Sequence, residues 1–358
     1  MPARETLARN LRRFLPPPTA LPRLARSAIL AALLLLALLG CNHKTPEPAA
    51  PARSGTLTFQ CCAAFQHSDS LTDQPPPGVT RLAIGGDARN DTAGVLPWAF
   101  GQARRRGATA FFFLGDLELT RSLDKLIAPQ LANLGGLPFY PLMGNHEVEF
   151  LGILRVPGTS KHAVKEFKED FLTAPGIKLA PLDDIVAYSV DLGDNIHWIA
   201  LDNVSRRHEG FGKAQHDWLA ADLQAASAAH KTILVGMHKG LADNPVTTHA
   251  MTEDGDSAIA DSREALKLFK QFNVAMVFVS HSHMFAAYDQ DGIPIRLTGG
   301  LGAPLVKGLG NNDGGFHHVL LVDVAKPGGN PLVQVQVEVV KFGTAVHDDK
   351  DETEEVEQ

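Results

Sequence analysis

Short apolar runs that each stop at a small residue and then a polar one set the pattern of this chain. Arg81–Gly86 ends in Gly-Gly-Asp, Ala108–Leu114 in Gly115-Asp116, and Pro138–Met143 in Gly144-Asn145-His146. Runs of this length, rich in branched and aromatic residues, predict buried strands. Between them, the segments near Gly94–Arg106 and Leu119–Leu134 carry apolar positions at helical spacing. Farther on, Ile185–Leu192 and Ile196–Leu201 flank Gly193-Asp194-Asn195, which predicts a hairpin. Ala214–Ala226 reads as an amphipathic helix with Trp218, Leu219 and Leu223 on one side. Thr232–Met237 and Val274–Val279 are buried-type strands, separated by a long loop and a helix around Ser262–Phe272. After His283 only strand patterns remain: Ala286–Tyr288, Ile293–Leu297, His318–Val324 and Leu332–Val340. No internal repeat is visible. The order βαβαβ, hairpin, βα units, antiparallel strands predicts an α/β fold of two packed sheets with helices outside.

The flanks follow different patterns. An Arg-rich start precedes an unbroken apolar run from Ala28 to Leu39 that stops at Gly40-Cys41. The run is shorter than the roughly 20 residues of a membrane-spanning helix but suits a signal-peptide core. Leu38-Leu39-Gly40-Cys41 resembles a bacterial lipobox, in which Cys41 is lipidated and becomes the new N-terminus. That implies an exported lipoprotein held in the cell envelope by its lipid, and Asn42 after the Cys points to the outer membrane, facing the periplasm. Residues 41–78, rich in Pro and Ala, read as a tether, residues 79–342 as the folded domain and residues 343–358 as an acidic, disordered tail. The adjacent Cys61 and Cys62 lack zinc-site spacing, and their role stays open between free thiols and a cross-link to a partner.

Charge narrows the partners. The formal net charge is -7, but residues 1–40 hold six Arg and one Glu, so the remainder carries -12. Residues 347–358, with seven acids and one Lys, account for half of that. An acidic chain without a long basic stripe is a poor nucleic-acid binder. Its one basic run, Arg104-Arg105-Arg106, reads as a solvated helix end.

The candidate chemistry sits where strands end. Asp87, Asp116, Asn145-His146, His238 and His281-Ser282-His283 each follow an apolar run. In sheets of parallel character such ends line one crevice, so groups far apart in sequence can converge. Taken singly, each is more often a turn residue, a helix cap or a structural His; the ordered set is what points to metal. Asp, Asn and His supply oxygen and nitrogen ligands suited to Mn, Fe or Zn.

Asp87-Ala88-Arg89, Gly115-Asp116, Gly144-Asn145-His146-Glu147, His238 and Ser280-His281-Ser282-His283 resemble the five motif blocks of calcineurin-like metallophosphoesterases, closest to the branch with purple acid phosphatases. The likeness runs from about Arg81 to Gly300. It implies a four-layer αββα sandwich of two mixed β-sheets flanked by helices, with a two-metal site at one edge. It further implies that Asp116 bridges the metals, that Asn145, His238 and His281 complete one site, and that Asp87 and His283 serve the other. His146 would face the substrate, with Glu147 as its orienting partner. The first block departs from the family: Arg89 stands where most members have a His ligand, and Leu119 stands where purple acid phosphatases place a compensating Tyr. The second metal site is thus one ligand short, to be filled by Glu118, Asp91 or His318, by water, or made unnecessary by Arg89 at the phosphate. The activity implied is hydrolysis of a small phosphate mono- or diester through attack of a metal-bound hydroxide on phosphorus, with two divalent or trivalent ions (Mn, Fe or Zn), the second weakly held. The competing expectation is a lipid-anchored metal- or phosphate-binding protein of the same fold without catalysis. The specificity loops would be Val148–Ser160 and Leu241–Ala260.

Overall fold

The computed structural model describes residues 71–89, 91, 93–117, 130–148, 159–206, 210–325 and 335–343. The signal-peptide reading, Cys41, Cys61, Cys62, Glu118, Leu119 and the acidic tail beyond residue 343 lie outside the described residues, as do most of the helix expected at Leu119–Leu134 and of the loop Val148–Ser160.

Alternation within single strands decides the layering. Successive side chains of a strand point to opposite faces. In β2 (Ala110–Phe113), Phe111 packs edge-on against Phe100 of helix α1 (Val95–Arg105), ring centroids 4.9 Å apart. Phe112 turns the other way and stacks at 4.0 Å on Trp198 of strand β6 (Ile196–Leu201), which belongs to the second sheet. One strand thereby contacts a helix on one face and the opposite sheet on the other.

The first sheet has the order β12-β11-β1-β2-β3, where β1 is Val79–Gly85, β3 Phe139–Pro141, β11 His318–Ala325 and β12 Val335–Lys341. Its β1, β2 and β3 are parallel, and β11 and β12 are antiparallel additions. The second sheet has the order β4-β5-β6-β7-β8-β10-β9. Here β4 is Lys178–Leu179, β5 Tyr188–Leu192, β7 Thr232–Met237, β8 Met276–Val279, β9 Phe285–Gln290 and β10 Ile293–Thr298. Parallel pairing joins β6, β7, β8 and β10, and the edges are antiparallel.

Between the sheets, Tyr140, Phe112, Trp198 and Phe278 stack in series. On the outer face of the second sheet, Ile199, Val235, Val277 and Ile295 meet Leu219 and Leu223 of α4 (Gly212–Ala228) and Ala265 and Phe269 of α5 (Asp256–Gln271). With α1 outside the first sheet, the layers run α, β, β, α, which is the expected sandwich. The pattern did not show α2 (Asn145–Val148), α3 (Thr159–Phe171) or the two-residue β4. It also placed the start of α5 six residues late, at Ser262.

Two sequence expectations change at the domain's edge. Leu71 is buried in the core, its carbonyl accepts a bond from Arg106 at 2.5 Å, and the fully buried Arg81 donates to the carbonyl of Thr72 at 2.8 Å. The end of the supposed tether therefore belongs to the folded domain. Arg106 is not solvated either, because it also pairs with Glu338 at 2.8 Å and so ties α1 to β12.

Candidate metal centre

The parallel strands of both sheets deliver the motif residues to one edge. Asp87 follows β1, Asp116 follows β2, Asn145 and His146 open α2 just after β3, His238 follows β7, and His281 and His283 lie between β8 and β9. Four of the residues at this edge have left-handed backbone: Asp87 (φ 59°), Arg89 (φ 40°), Asp116 (φ 58°) and His281 (φ 71°). Such conformations cost on the order of 1–3 kcal/mol each for non-glycine residues and gather at functional sites. Cross-loop bonds hold them: Asp87 N–H donates to Gly115 O (3.0 Å), Arg89 N–H to Asp116 O (2.9 Å) and Ala303 N–H to Asp87 O (2.8 Å). Gly115 lets the loops close. A Cβ there would lie 2.6 Å from the Gly144 nitrogen and 2.7 Å from His238 Nδ1.

Two ligand groups result. Atoms of Asp116, His238 and His281 lie within 4.8 Å of one another, and so do atoms of Asp87, Asp116 and His283. Asp116 is common to both. His238 Nε2 faces Asn145 Oδ1 at 3.0 Å, His281 Nδ1 at 3.2 Å and Asp116 Oδ1 at 3.5 Å, so the four residues expected at the first site share one point. His283 Nε2 lies 3.6 Å from Asp87 Oδ1. The outward ring nitrogens are already bonded: His238 Nδ1 to Leu114 O (2.7 Å), His283 Nδ1 to Pro304 O (2.7 Å) and His281 Nε2 to Glu253 (3.0 Å). Such outer bonds fix each ring and leave the inward nitrogen as the ligand.

The electrostatics fit cations. Asp87 and Asp116 are both buried. Burial pushes Asp87 up to about 7, and burial together with the charge of Asp87 raises Asp116. Two adjacent buried carboxylates ionise together only when positive charge joins them. Asp87 Oδ2 is engaged by Ser280 Oγ and by His281 N–H (2.7 Å), whereas Asp87 Oδ1 is buried without a hydrogen-bond partner and faces the centre. Burial lowers the basicity of His238, of His283 and of His281, the last to about 4. They are therefore neutral near pH 7, the state in which imidazole binds metal.

The remaining site residues divide. His146 lies 3.7 Å from Asp116 Oδ2, and its backbone N–H donates to Asp116 Oδ1 at 3.0 Å. Burial, then the charge of Arg89, depresses it to about 4. Arg89 is half-buried, and its positive charge also acts on Asp87, Asp116 and His283. Glu147 does not orient His146. Its carboxylate is buried and accepts from Gly144 N–H (2.6 Å) and Asp116 N–H (2.9 Å), while His146 Nδ1 is without a partner. Glu147 instead pins two ligand loops together. Nor do Asp91 and His318 supply the missing ligand. Asp91 accepts from Ala93 and Leu96 N–H at the start of α1, and both ring nitrogens of His318 are held, by Phe316 O and Thr298 Oγ1. Sequence reading quoted Ser280 within a motif block without giving it its bond to Asp87, and it missed Glu253 and His249, whose i, i+4 spacing was the available signal.

The model of the calcineurin-like phosphoesterase family matches residues 66–285. The chain belongs to that family. Members use a dimetal centre to act on phosphoesters, and the ligand groups described above are the candidate for it here. Among solved structures, the chain is similar to a purple acid phosphatase from yellow lupin (Lupinus luteus) seeds at 17% identity and TM-score 0.52, over 70% of this chain and 50% of that one. A dimetal phosphatase from Danio rerio is similar over 73% of this chain and 99% of that one, at 15% identity and TM-score 0.49. The inner-membrane-complex anchor of Plasmodium is similar over 74% and 89%, at 13% identity and TM-score 0.46. No curated protein matches the chain.

Proposed function

We propose that this chain hydrolyses a small phosphate mono- or diester at a centre of two metal ions. The observation that carries this reading is the pair of ligand groups sharing Asp116, with the inward oxygen of Asp87 buried and without a hydrogen-bond partner. Asp116, Asn145, His238 and His281 would hold one ion, and Asp87, Asp116 and His283 the other. Ions there supply Lewis acidity toward a phosphoryl oxygen and toward water. Arg89 binds nonbridging phosphoryl oxygens, as a guanidinium does in bidentate fashion. His146, held neutral, donates a hydrogen bond to the leaving oxygen as charge develops there.

A second reading has one observation in its favour. With Asp91 and His318 engaged elsewhere, the Asp87 site has one ligand fewer than the family pattern among the described residues, which do not include Glu118. A metal- or phosphate-binding protein without turnover would tolerate that. Metal content measured with hydrolysis of aryl mono- and diesters after Mn, Fe or Zn loading separates the two. Turnover with about two metals per chain supports the enzyme; one metal and no turnover under any loading supports the binding protein. Asp116→Ala is expected to lose both metals and activity, and retained turnover would overturn the site.

We also propose that the chain is exported and anchored through lipid on Cys41, with its active domain in the periplasm. Among the described residues, no helix is long and apolar enough to cross a membrane. Labelled fatty acid incorporated into the wild type and not into Cys41→Ser is the expected result; equal labelling would refute the anchor.

A further inference from the structure

An ion network abuts the centre outside the ligand set. Lys239 follows the ligand His238 and is 3% exposed. Its Nζ bonds to both oxygens of the buried Asp254 (2.9 and 2.8 Å) and to Glu253 Oε1 (2.7 Å). Both carboxylates belong to the 3₁₀ turn Met251–Asp254. Of this group, Glu253 faces a ligand. Glu253 Oε1 is 3.0 Å from His281 Nε2, while His281 Nδ1 points the opposite way, toward His238. The other Glu253 oxygen takes His249 Nδ1 at 2.7 Å, and the His249 ring lies over the His281 ring, centroids 3.9 Å apart at 25°.

An ionised carboxylate only accepts hydrogen bonds. Neutral His281 therefore carries its proton on Nε2 and presents the Nδ1 lone pair to the centre. His238 and His283 are set in the same way by carbonyls, of Leu114 and Pro304. Of these three rings, His281 has the charged acceptor. A carboxylate behind a ligating imidazole fixes its tautomer and raises its basicity more than a neutral acceptor does. We propose that Glu253 is a positioning residue: it sets the tautomer of His281 and strengthens its hold on the metal, and Lys239 and Asp254 keep Glu253 in place. This rests on the metal centre proposed above.

His249, Glu253 and His281 also lie close enough to hold a cation of their own. The Lys239 ammonium, already 2.7 Å from the same Glu253 oxygen, disfavours a second positive charge there.

The test titrates the full chain with Co(II) against a competing chelator and follows the Co(II) absorption bands. Wild type should bind two equivalents. Glu253→Ala should weaken one of them by about 10–100-fold and shift its bands. Glu253→Gln, which keeps an acceptor oxygen without the charge, should fall between. Lys267→Ala, an exposed residue of α5 paired with Glu264, should bind as wild type does. Thermal midpoints of the metal-free variants check that each is folded. Wild-type affinity and bands in Glu253→Ala would overturn the proposal, as would an equal loss in Lys267→Ala. A wild-type chain that takes up no metal would overturn the metal centre itself, and this inference with it.

Discussion

At the scale of single residues, the two groups proposed to meet substrate rather than metal carry the sharpest expectations. His146 lacks a partner for Nδ1 and is held near pKa 4 by burial and by Arg89. His146→Ala should lower kcat by roughly 10²–10⁴-fold, the usual worth of a positioned proton donor. Metal content should stay unchanged; lost metal would show that the residue is a ligand. Arg89 stands where the family usually has a His, and its backbone is left-handed at φ 40°. Arg89→His should tighten the metal at Asp87 and His283 while raising KM, as read by chelator competition and steady-state kinetics. Loss of a charge-assisted contact is worth about 1.5–3 kcal/mol, so the rise in KM should be roughly 10–100-fold.

At the scale of elements, the site depends on strand ends that cross-link one another, and the far side of the second sheet has a charged lock of its own. His197 of β6 lies between Asp191 of β5 (2.7 Å) and Asp222 of α4 (2.8 Å). Burial opposes its charge, but the bonds to Asp222 and Asp191 prevail and raise its pKa above 6.5. A raised folded-state pKa gives stability that is fully present below the unfolded value and disappears as pH rises through the folded one. His197→Gln should therefore be less stable than wild type below about pH 6, and the gap should narrow in alkali. Denaturant midpoints across pH measure this; a gap constant with pH would mean that the imidazole is neutral.

For the whole molecule, the metal centre is where the two sheets are joined at their edge, since Asp87, Asp116 and Asn145 come from one and His238, His281 and His283 from the other. Bound ions should thus stabilise the sandwich as well as the loops. At a hundredfold excess over Kd, a ligand adds about 2.7 kcal/mol. For a domain of this size, chelation should then lower Tm by roughly 5–10 °C, seen in thermal melts with and without EDTA. An unchanged Tm would mean that no ion spans the sheets. Trp198, stacked between Phe112 and Phe278, joins the sheets independently of metal. Trp198→Ala should cost about 3–5 kcal/mol with metal bound or removed.

The sequence by itself determined which residues end the strands. Apolar runs of strand length, each closed by a small residue and a polar one, located Asp87, Asp116, Asn145, His238, His281 and His283, because period and punctuation are local properties of the chain. For the same reason Thr232–Met237 matches β7 residue for residue, whereas the expected starts Ile185 and Val274 lie ahead of the observed Tyr188 and Met276. Tertiary structure decided everything that depends on what stands opposite. Glu147 is adjacent to His146 in sequence but turns to the amides of Gly144 and Asp116, two donors that only the folded loops bring to one carboxylate. Asp91 and His318 are plausible ligands by chemistry alone, yet α1 and the Thr298 strand end claim them first. Glu253 lies 28 residues from His281, and no local pattern pairs them; only the tertiary fold brings the carboxylate of the 3₁₀ turn to the ring.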